Sequence, residues 1–187
     1  SFDQDGTLKA GAVDNAAVLA SDVVTTAKIL DANVTTAKIA DDAVTPAKWT
    51  NPYCFRAYAT ASTTLTDNTA VKVALAAESY DYNNNFASST YTAPVAGVYH
   101  FDANLQIGSS VSTGVNCQAL IYVNGSVAIG GPVFVPTNFG ASNVSGDILL
   151  AANDTVDFYF KQDSAGAEDV NTGTSATYFS GHLVHAI

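Results

Sequence analysis

From Tyr53 onward the chain alternates apolar and polar residues with a period of two, the pattern of strands that bury one face. In Val98 to Ile107, the residues Tyr99, Phe101, Ala103, Leu105 and Ile107 fall on one side, and His100, Asp102, Asn104 and Gln106 on the other. Val156, Phe158 and Phe160 alternate with Asp157, Tyr159 and Lys161. Cys117, Ala119, Ile121 and Val123 form a third apolar stripe, with Leu120 and Tyr122 opposite, where a single chain would expose them. Asn124-Gly125 is a two-residue hairpin signal. Asn153-Asp154, and Pro94 with Gly97, mark further turns. About ten short strands fit between Tyr53 and His185, the pattern of an antiparallel sandwich or jelly roll.

Before residue 50 the pattern changes to a repeat. Val24-Thr25-Thr26-Ala27-Lys28-Ile29 returns as Val34-Thr35-Thr36-Ala37-Lys38-Ile39, and again as Val44-Thr45-Pro46-Ala47-Lys48-Trp49, ten residues apart each time. Pro46 suits a first helical position and Thr45 an N-cap, so each copy is read as a capped single helical turn. One turn is not stable alone. Its small apolar stripe (Val24, Ile29, Val34, Ile39, Val44, Trp49) therefore needs a partner, and the simplest is the same stripe on symmetry mates. The period is neither a heptad nor an eleven-residue repeat, which excludes an ordinary coiled coil. The chain is thus divided into a repetitive stalk, 1–50, and a β head, 51–187. These repeats resemble those of bacteriophage tail-fibre proteins.

Composition narrows the function. Only 13% of residues are charged, and the net charge is -10. Such a surface repels phosphate backbones and anionic headgroups, so neither nucleic acid nor a membrane is expected as partner. No apolar run is long enough to span a bilayer. Cys54 and Cys117 permit one disulfide, or two buried thiols. The chain starts at Ser1 without an initiator Met, and is read as processed or as part of a longer chain.

The head carries a family resemblance. Tyr80-Asp81, then Tyr91-Thr92-Ala93-Pro94-Val95-Ala96-Gly97-Val98-Tyr99-His100-Phe101, resembles the central A-P-x-x-G-x-Y-x-F signature of the C1q family. Phe55-Arg56-Ala57 is similar to its first strand, and Leu120 to Gly125 to its middle hairpin. Ser142 to Leu150 with Asn153 to Val156, and Tyr178-Phe179-Ser180-Gly181-His182-Leu183-Val184, resemble its last two signatures. Asn153 departs from the family's usual Gly, and Asn83 to Ser89 lacks its T-G turn. The resemblance implies an all-β, ten-stranded C1q/TNF-like jelly roll that forms a compact homotrimer, with the stalks meeting on the same axis.

No catalytic constellation is legible. Strict alternation puts His182 and His185, three apart, on opposite faces, where they do not chelate one ion. Ser180-Gly181-His182 lacks a nucleophile elbow. Asp41-Asp42 and Glu168-Asp169 read as solvated links or loops, and calcium is the one cofactor their oxygens would suit, without the regular loop spacing. No cofactor and no enzymatic activity are therefore expected, a depolymerase included.

The expected function is a fibre knob of a phage or prophage, contacting a host-surface glycan or protein from the virion surface or another extracellular site. Loops rich in Asn, Ser, Thr and Tyr suit such contacts: Tyr82 to Thr90, Ser109 to Asn116, Pro136 to Ser142 and Gln162 to Ser175. Within them or beside them, Tyr82, Asn84, Ser110, Thr113, Asn138, Asn143, Asp163, Glu168 and Asp169 are the candidate ligand contacts. The alternative is a structural subunit of a capsid decoration fibre or an extracellular filament, joined to other subunits through its N-terminal segment.

Overall fold

A computed structural model describes Ile39 and residues 53–107, 115–135 and 140–187. The predicted helical turns, with Val24, Ile29, Val34, Val44 and Trp49, lie outside the described residues, as do Ser110, Thr113 and Asn138. Ile39 is described, and is 44% exposed.

The described residues contain thirteen strands: β1 (Cys54–Tyr58), β2 (Thr64–Leu65), β3 (Val71–Lys72), β4 (Ala77–Asp81), β5 (Phe86–Ala87), β6 (Thr90–Thr92), β7 (Gly97–Gln106), β8 (Cys117–Val123), β9 (Ser126–Gly130), β10 (Ala141–Leu150), β11 (Thr155–Gln162), β12 (Glu168–Asp169) and β13 (Tyr178–Ala186). One sheet runs β10-β7-β13-β1-β4. The other runs β5-β6-β11-β8-β9, with β3 added on β11. All pairings are antiparallel. The two five-strand paths are the ten strands of a jelly roll; β3 and the small β2–β12 pair are additions to it.

The period-two stripes become the core. Tyr99, Phe101, Ala103, Leu105 and Ile107 are fully buried, as are Val156, Phe158 and Phe160. Aromatic rings join the two sheets. Phe55 stacks on Phe86 at 4.8 Å and on Tyr91 at 4.7 Å, and meets Phe179 edge-on at 5.0 Å. Phe101 stacks on Phe179 at 5.6 Å, and Phe158 lies 6.0 Å from Phe179. Such pairs add to the burial of large rings. Among the described residues, one buried side-chain polar atom has no hydrogen-bond partner, the Tyr91 hydroxyl.

The turns follow side-chain chemistry. Asn124 and Gly125 both have positive φ (50° and 78°), the geometry of the β8–β9 hairpin that this dipeptide predicts. In the Asn83–Ser89 segment, Asn83 and Asn84 (φ 72° and 53°) and Ser88 and Ser89 (φ 51° and 60°) do without glycine. Asp81 supports the first turn by accepting from the Phe86 N–H at 2.9 Å, and Ser89 Oγ supports the second by accepting from the Leu75 N–H at 2.9 Å.

Two expectations are corrected, one for Leu120 with Tyr122 and one for Glu168-Asp169. Leu120 and Tyr122 lie outside the sandwich as predicted but do not make an exposed patch. Leu120 is only 7% exposed beside its cross-strand partner Tyr159, and Tyr159 stacks on Tyr122 at 4.1 Å. Asp157, also outward, is buried because Lys72 Nζ and Thr90 Oγ1 each reach its Oδ1 at 2.7 Å. Glu168-Asp169 is not a loop: it forms β12, paired with Leu65 and Thr64. Of the two states open to the cysteines, the structure has the free thiols, Cys54 half-buried in the five-stranded sheet and Cys117 buried in the other.

Two substitutions test this packing. An added methyl at Gly181 would meet the Phe101 ring at 2.5 Å and backbone at 3.0 Å. Gly181→Ala is therefore expected to destabilise the head by about 1–3 kcal/mol. Tyr91→Phe removes an unpaired buried hydroxyl and is expected to leave stability unchanged or raise it by up to about 1 kcal/mol. Urea unfolding midpoints decide both.

Candidate assembly face and distal loops

The outer face of the five-stranded sheet is built from the polar halves of the alternating strands. Strand register arranges it in rows that cross the sheet. One row is Asn143, Asn104, Tyr178, Tyr58 and Ala77. The next is Ser145, Asp102, Ser180, Arg56 and Tyr80. A third is Asp147, His100, His182 and Cys54. The last joins Leu149 to Val98 and His185. Arg56 lies over the Tyr178 ring at 4.0 Å and donates to the Thr174 carbonyl at 2.8 Å, which ties the centre of the face to the segment before β13.

This face also carries exposed large apolar side chains. Leu149 is 66% exposed, Val184 54% and the adjoining Ile187 76%, and Tyr80 is exposed on the edge strand. They sit on a sandwich whose own core is already closed.

The third row brings together residues far apart in sequence. The rings of His100 and His182 lie 5.5 Å apart. His100 Nδ1 is 2.7 Å from Asp147 Oδ1, so Nδ1 carries the proton it gives to that acceptor. Cys54 is half-buried, and burial, then the Asp81 charge, pushes its thiol pKa up. Strict alternation had put His182 and His185 on opposite faces. A β-bulge at Val184 resets the alternation and pairs His185 with the outward-facing Val98, two positions from His100. The face of His185 is thus corrected.

The loops divide between the two ends of the sandwich. Tyr53, where the chain enters the head, accepts from the Leu183 N–H at 2.9 Å; beside it the Tyr82 N–H donates to Cys54 O at 3.0 Å. Tyr82 and Asn84, both exposed, therefore lie at the end where the chain enters. The Asn124–Gly125 hairpin is at that end too, tied to Asp154 by a 2.8 Å bond from Asn124 Nδ2. At the opposite end, Ile107 N–H donates to Gly140 O at 2.9 Å and Asn171 N–H to Gln106 O at 2.8 Å. Asp163, Glu168 and Asp169 belong to this distal end. Asp163 accepts from Asn116 Nδ2 at 2.7 Å, and Asp169 from Thr64 Oγ1 at 3.3 Å. Asn143 is not a loop residue: it is exposed within β10, opposite Asn104 on the sheet face.

Among the described residues no three His, Cys, Asp or Glu side chains converge on a metal-sized site. Ser180 Oγ is turned to the Asp102 carbonyl at 3.4 Å. No described helix is long and apolar enough to cross a membrane. The row of His100, His182 and Asp147 escapes sequence reading because it depends on the pairing of β7 with β13 and β10; the alternation shows only that His100 is polar-facing.

Solved structures share this architecture. The chain is similar to the globular domain of zebrafish complement 1qA, at 14% identity and a TM-score of 0.51, over 73% of this chain and 100% of that one. It is also similar to murine APRIL at pH 8.0 (8% identity, TM-score 0.54, 72% of this chain and 100% of that one). A third is the TNF Eiger of S. frugiperda (8%, TM-score 0.51, 73% and 94%). At these identities the likeness shows the fold: an all-β C1q/TNF-like jelly roll, as the sequence signatures imply. No protein-family model matches the chain, and no curated protein matches it.

The distal end has an acid-sensitive fastening. Hydrogen bonds from the Asn116 side chain and then its backbone hold the Asp163 carboxyl below its ordinary pKa. The depressed folded-state value means that this contribution is present above the unfolded pKa and is lost as pH falls through the folded one. Asp163→Asn is expected to make the head's stability fall less steeply on acidification below the ordinary carboxylate range, measured by urea midpoints across the acid limb.

Proposed function

We propose that this chain is a non-enzymatic homotrimeric fibre protein of a phage or prophage, with a C1q/TNF-like head that mediates attachment to a host surface. The observation that carries the reading is the apolar set of Leu149, Val184 and Ile187 exposed on a sheet face outside a closed core. At about 25 cal/mol per Å² of apolar surface, covering such side chains favours association. Copies of the same chain are the partner, since the apolar stripe of the N-terminal repeat and the exposed sheet face both call for one. Three copies at one axis give the stripe of Val24, Ile29, Val34, Ile39, Val44 and Trp49 its missing neighbours.

The distal loops are the contact surface for a host glycan or protein. They lie opposite the end where the chain enters at Tyr53. Three copies of each loop raise weak contacts to useful avidity. Asp163, Glu168 and Asp169 are favoured over Tyr82 and Asn84, which lie at the entering end. The protein works at a virion surface or elsewhere outside the cell.

Light scattering of the full chain is expected to give three times the chain mass of 19.3 kDa at all concentrations. Leu149→Asp combined with Val184→Asp is expected to shift the mass toward a single chain without unfolding the sandwich. A single-chain mass for the unaltered protein overturns the assembly. On a panel of bacterial cells, binding of the labelled full chain is expected to fall with Asp169→Ala plus Asn171→Ala, and to survive Tyr82→Ala plus Asn84→Ala; the reverse pattern places contact at the other end.

A further inference from the structure

We propose that Asn124 is a site of spontaneous deamidation whose rate the fold controls, through the bonds that hold its side chain on the start of β11. Asn124-Gly125 is the one Asn-Gly pair in the sequence. The reaction needs no enzyme. The Gly125 amide nitrogen bonds to the Asn124 side-chain carbonyl carbon and loses its proton, while the side-chain nitrogen takes up a proton and leaves as ammonia. Water then opens the cyclic imide at either carbonyl, to aspartate or to isoaspartate. Glycine at the second position favours ring closure, because no Cβ crowds the attacking nitrogen. Both residues are exposed at the tip of the β8–β9 hairpin, and the space around Gly125 is open. Crowding does not oppose the reaction there, so the bonds of the side chain itself decide the rate.

Those bonds occupy the whole carboxamide. Asn124 Oδ1 accepts from the Thr155 N–H at 2.9 Å and from Thr155 Oγ1 at 3.2 Å. Asn124 Nδ2 donates to Asp154 Oδ1 at 2.8 Å. The Asn124 N–H donates to Thr155 O at 2.9 Å, so backbone and side chain are fixed to the same place. Asp154 is oriented in turn, its Oδ2 accepting from the Ala151 N–H at 2.7 Å. Expelling ammonia breaks the bond to Asp154, and a hydrogen bond to a carboxylate is one of the stronger kinds. The product is also opposed. An aspartate at 124 has no donor for Asp154, and two carboxylates then lie within hydrogen-bonding distance, where like charges repel. Conversion therefore unfastens the β8–β9 hairpin from β11 at the end where the chain enters the head.

The test incubates the full chain in mildly alkaline buffer, where the Gly125 amide proton is lost most easily, and locates isoaspartate by peptide mass mapping. Residue 124 is expected to convert slowly in the native protein and quickly in urea. Asp154→Asn keeps one acceptor, which the Ala151 N–H needs, and leaves Asn124 Nδ2 without its own. It is expected to speed conversion at 124 by roughly 5–30-fold, the factor for a loss of about 1–2 kcal/mol, with the other asparagines unchanged. Asn124→Asp, one of the two products, is expected to lower the urea midpoint of the head. Adding Asp154→Asn to it is expected to restore the midpoint, because donor and acceptor have then changed places. Equal rates at 124 in the native and unfolded chain, no change with Asp154→Asn, a rise at all asparagines alike, or isoaspartate arising first elsewhere overturns the site. All the bonds involved lie within one chain, so a one-chain and a three-chain species give the same outcome, and assembly and deamidation fail independently.

Discussion

The head depends on the packing of aromatic rings from both sheets into one layer. Phe55 touches Phe86, Tyr91, Phe101 and Phe179, so β1 is joined at one side chain to β5, β6, β7 and β13. Phe158 adds β11 through Phe179. Because interiors pack at crystal-like density, each ring limits where the next can lie. Gly181 is part of that constraint: β13 passes so close over Phe101 that no Cβ fits.

This constraint explains how much of the molecule is legible in the sequence. A core of alternating large side chains must be written into the chain at period two, so Tyr99 to Ile107 and Val156 to Phe160 could be assigned to one face before any contact was known. The Asn124-Gly125 hairpin was equally legible, because positive φ at both positions restricts the residue types. What was not legible is whatever depends on long-range register. His100 and His182 meet only because β7 and β13 pair in one particular alignment. His185 changes face through a single bulged residue, and no local signal marks Val184 as that residue. Leu120 is covered by Tyr159, a residue known to be its neighbour only once β8 and β11 are aligned. Glu168-Asp169 looked like a loop because a two-residue strand is too short to show a period.

The division of the candidate loops has the same origin. All four runs looked alike in composition, being rich in Asn, Ser, Thr and Tyr. Antiparallel pairing separates them, since β7 places Gly97 beside Leu150 and Ala186 and places Gln106 beside Ala141. Connections made at the Gly97 end cannot meet those made at the Gln106 end. Tyr82 and Asn84 are thereby separated from Asp163 and Asp169, and a surface contacted at the distal end sees only the second group.

Alternation also separates stability from function in this head. Inward positions are held by the ring layer, and a change there is opposed by its neighbours. Outward positions on the five-stranded sheet meet no such resistance within one chain, so they can carry tyrosines, histidines and exposed aliphatic residues at little cost to the fold. Each row across the sheet has a different chemistry: amides and tyrosines in one, hydroxyls and Arg56 in the next, imidazoles and a carboxylate in the third, and aliphatic side chains in the last. A face that only needed solubility would not need Leu149 and Val184 exposed beside it, since isolated charges serve that purpose better. That mixture suits the association proposed for this face, where covering the exposed aliphatic side chains has to outweigh the repulsion between chains of net charge -10.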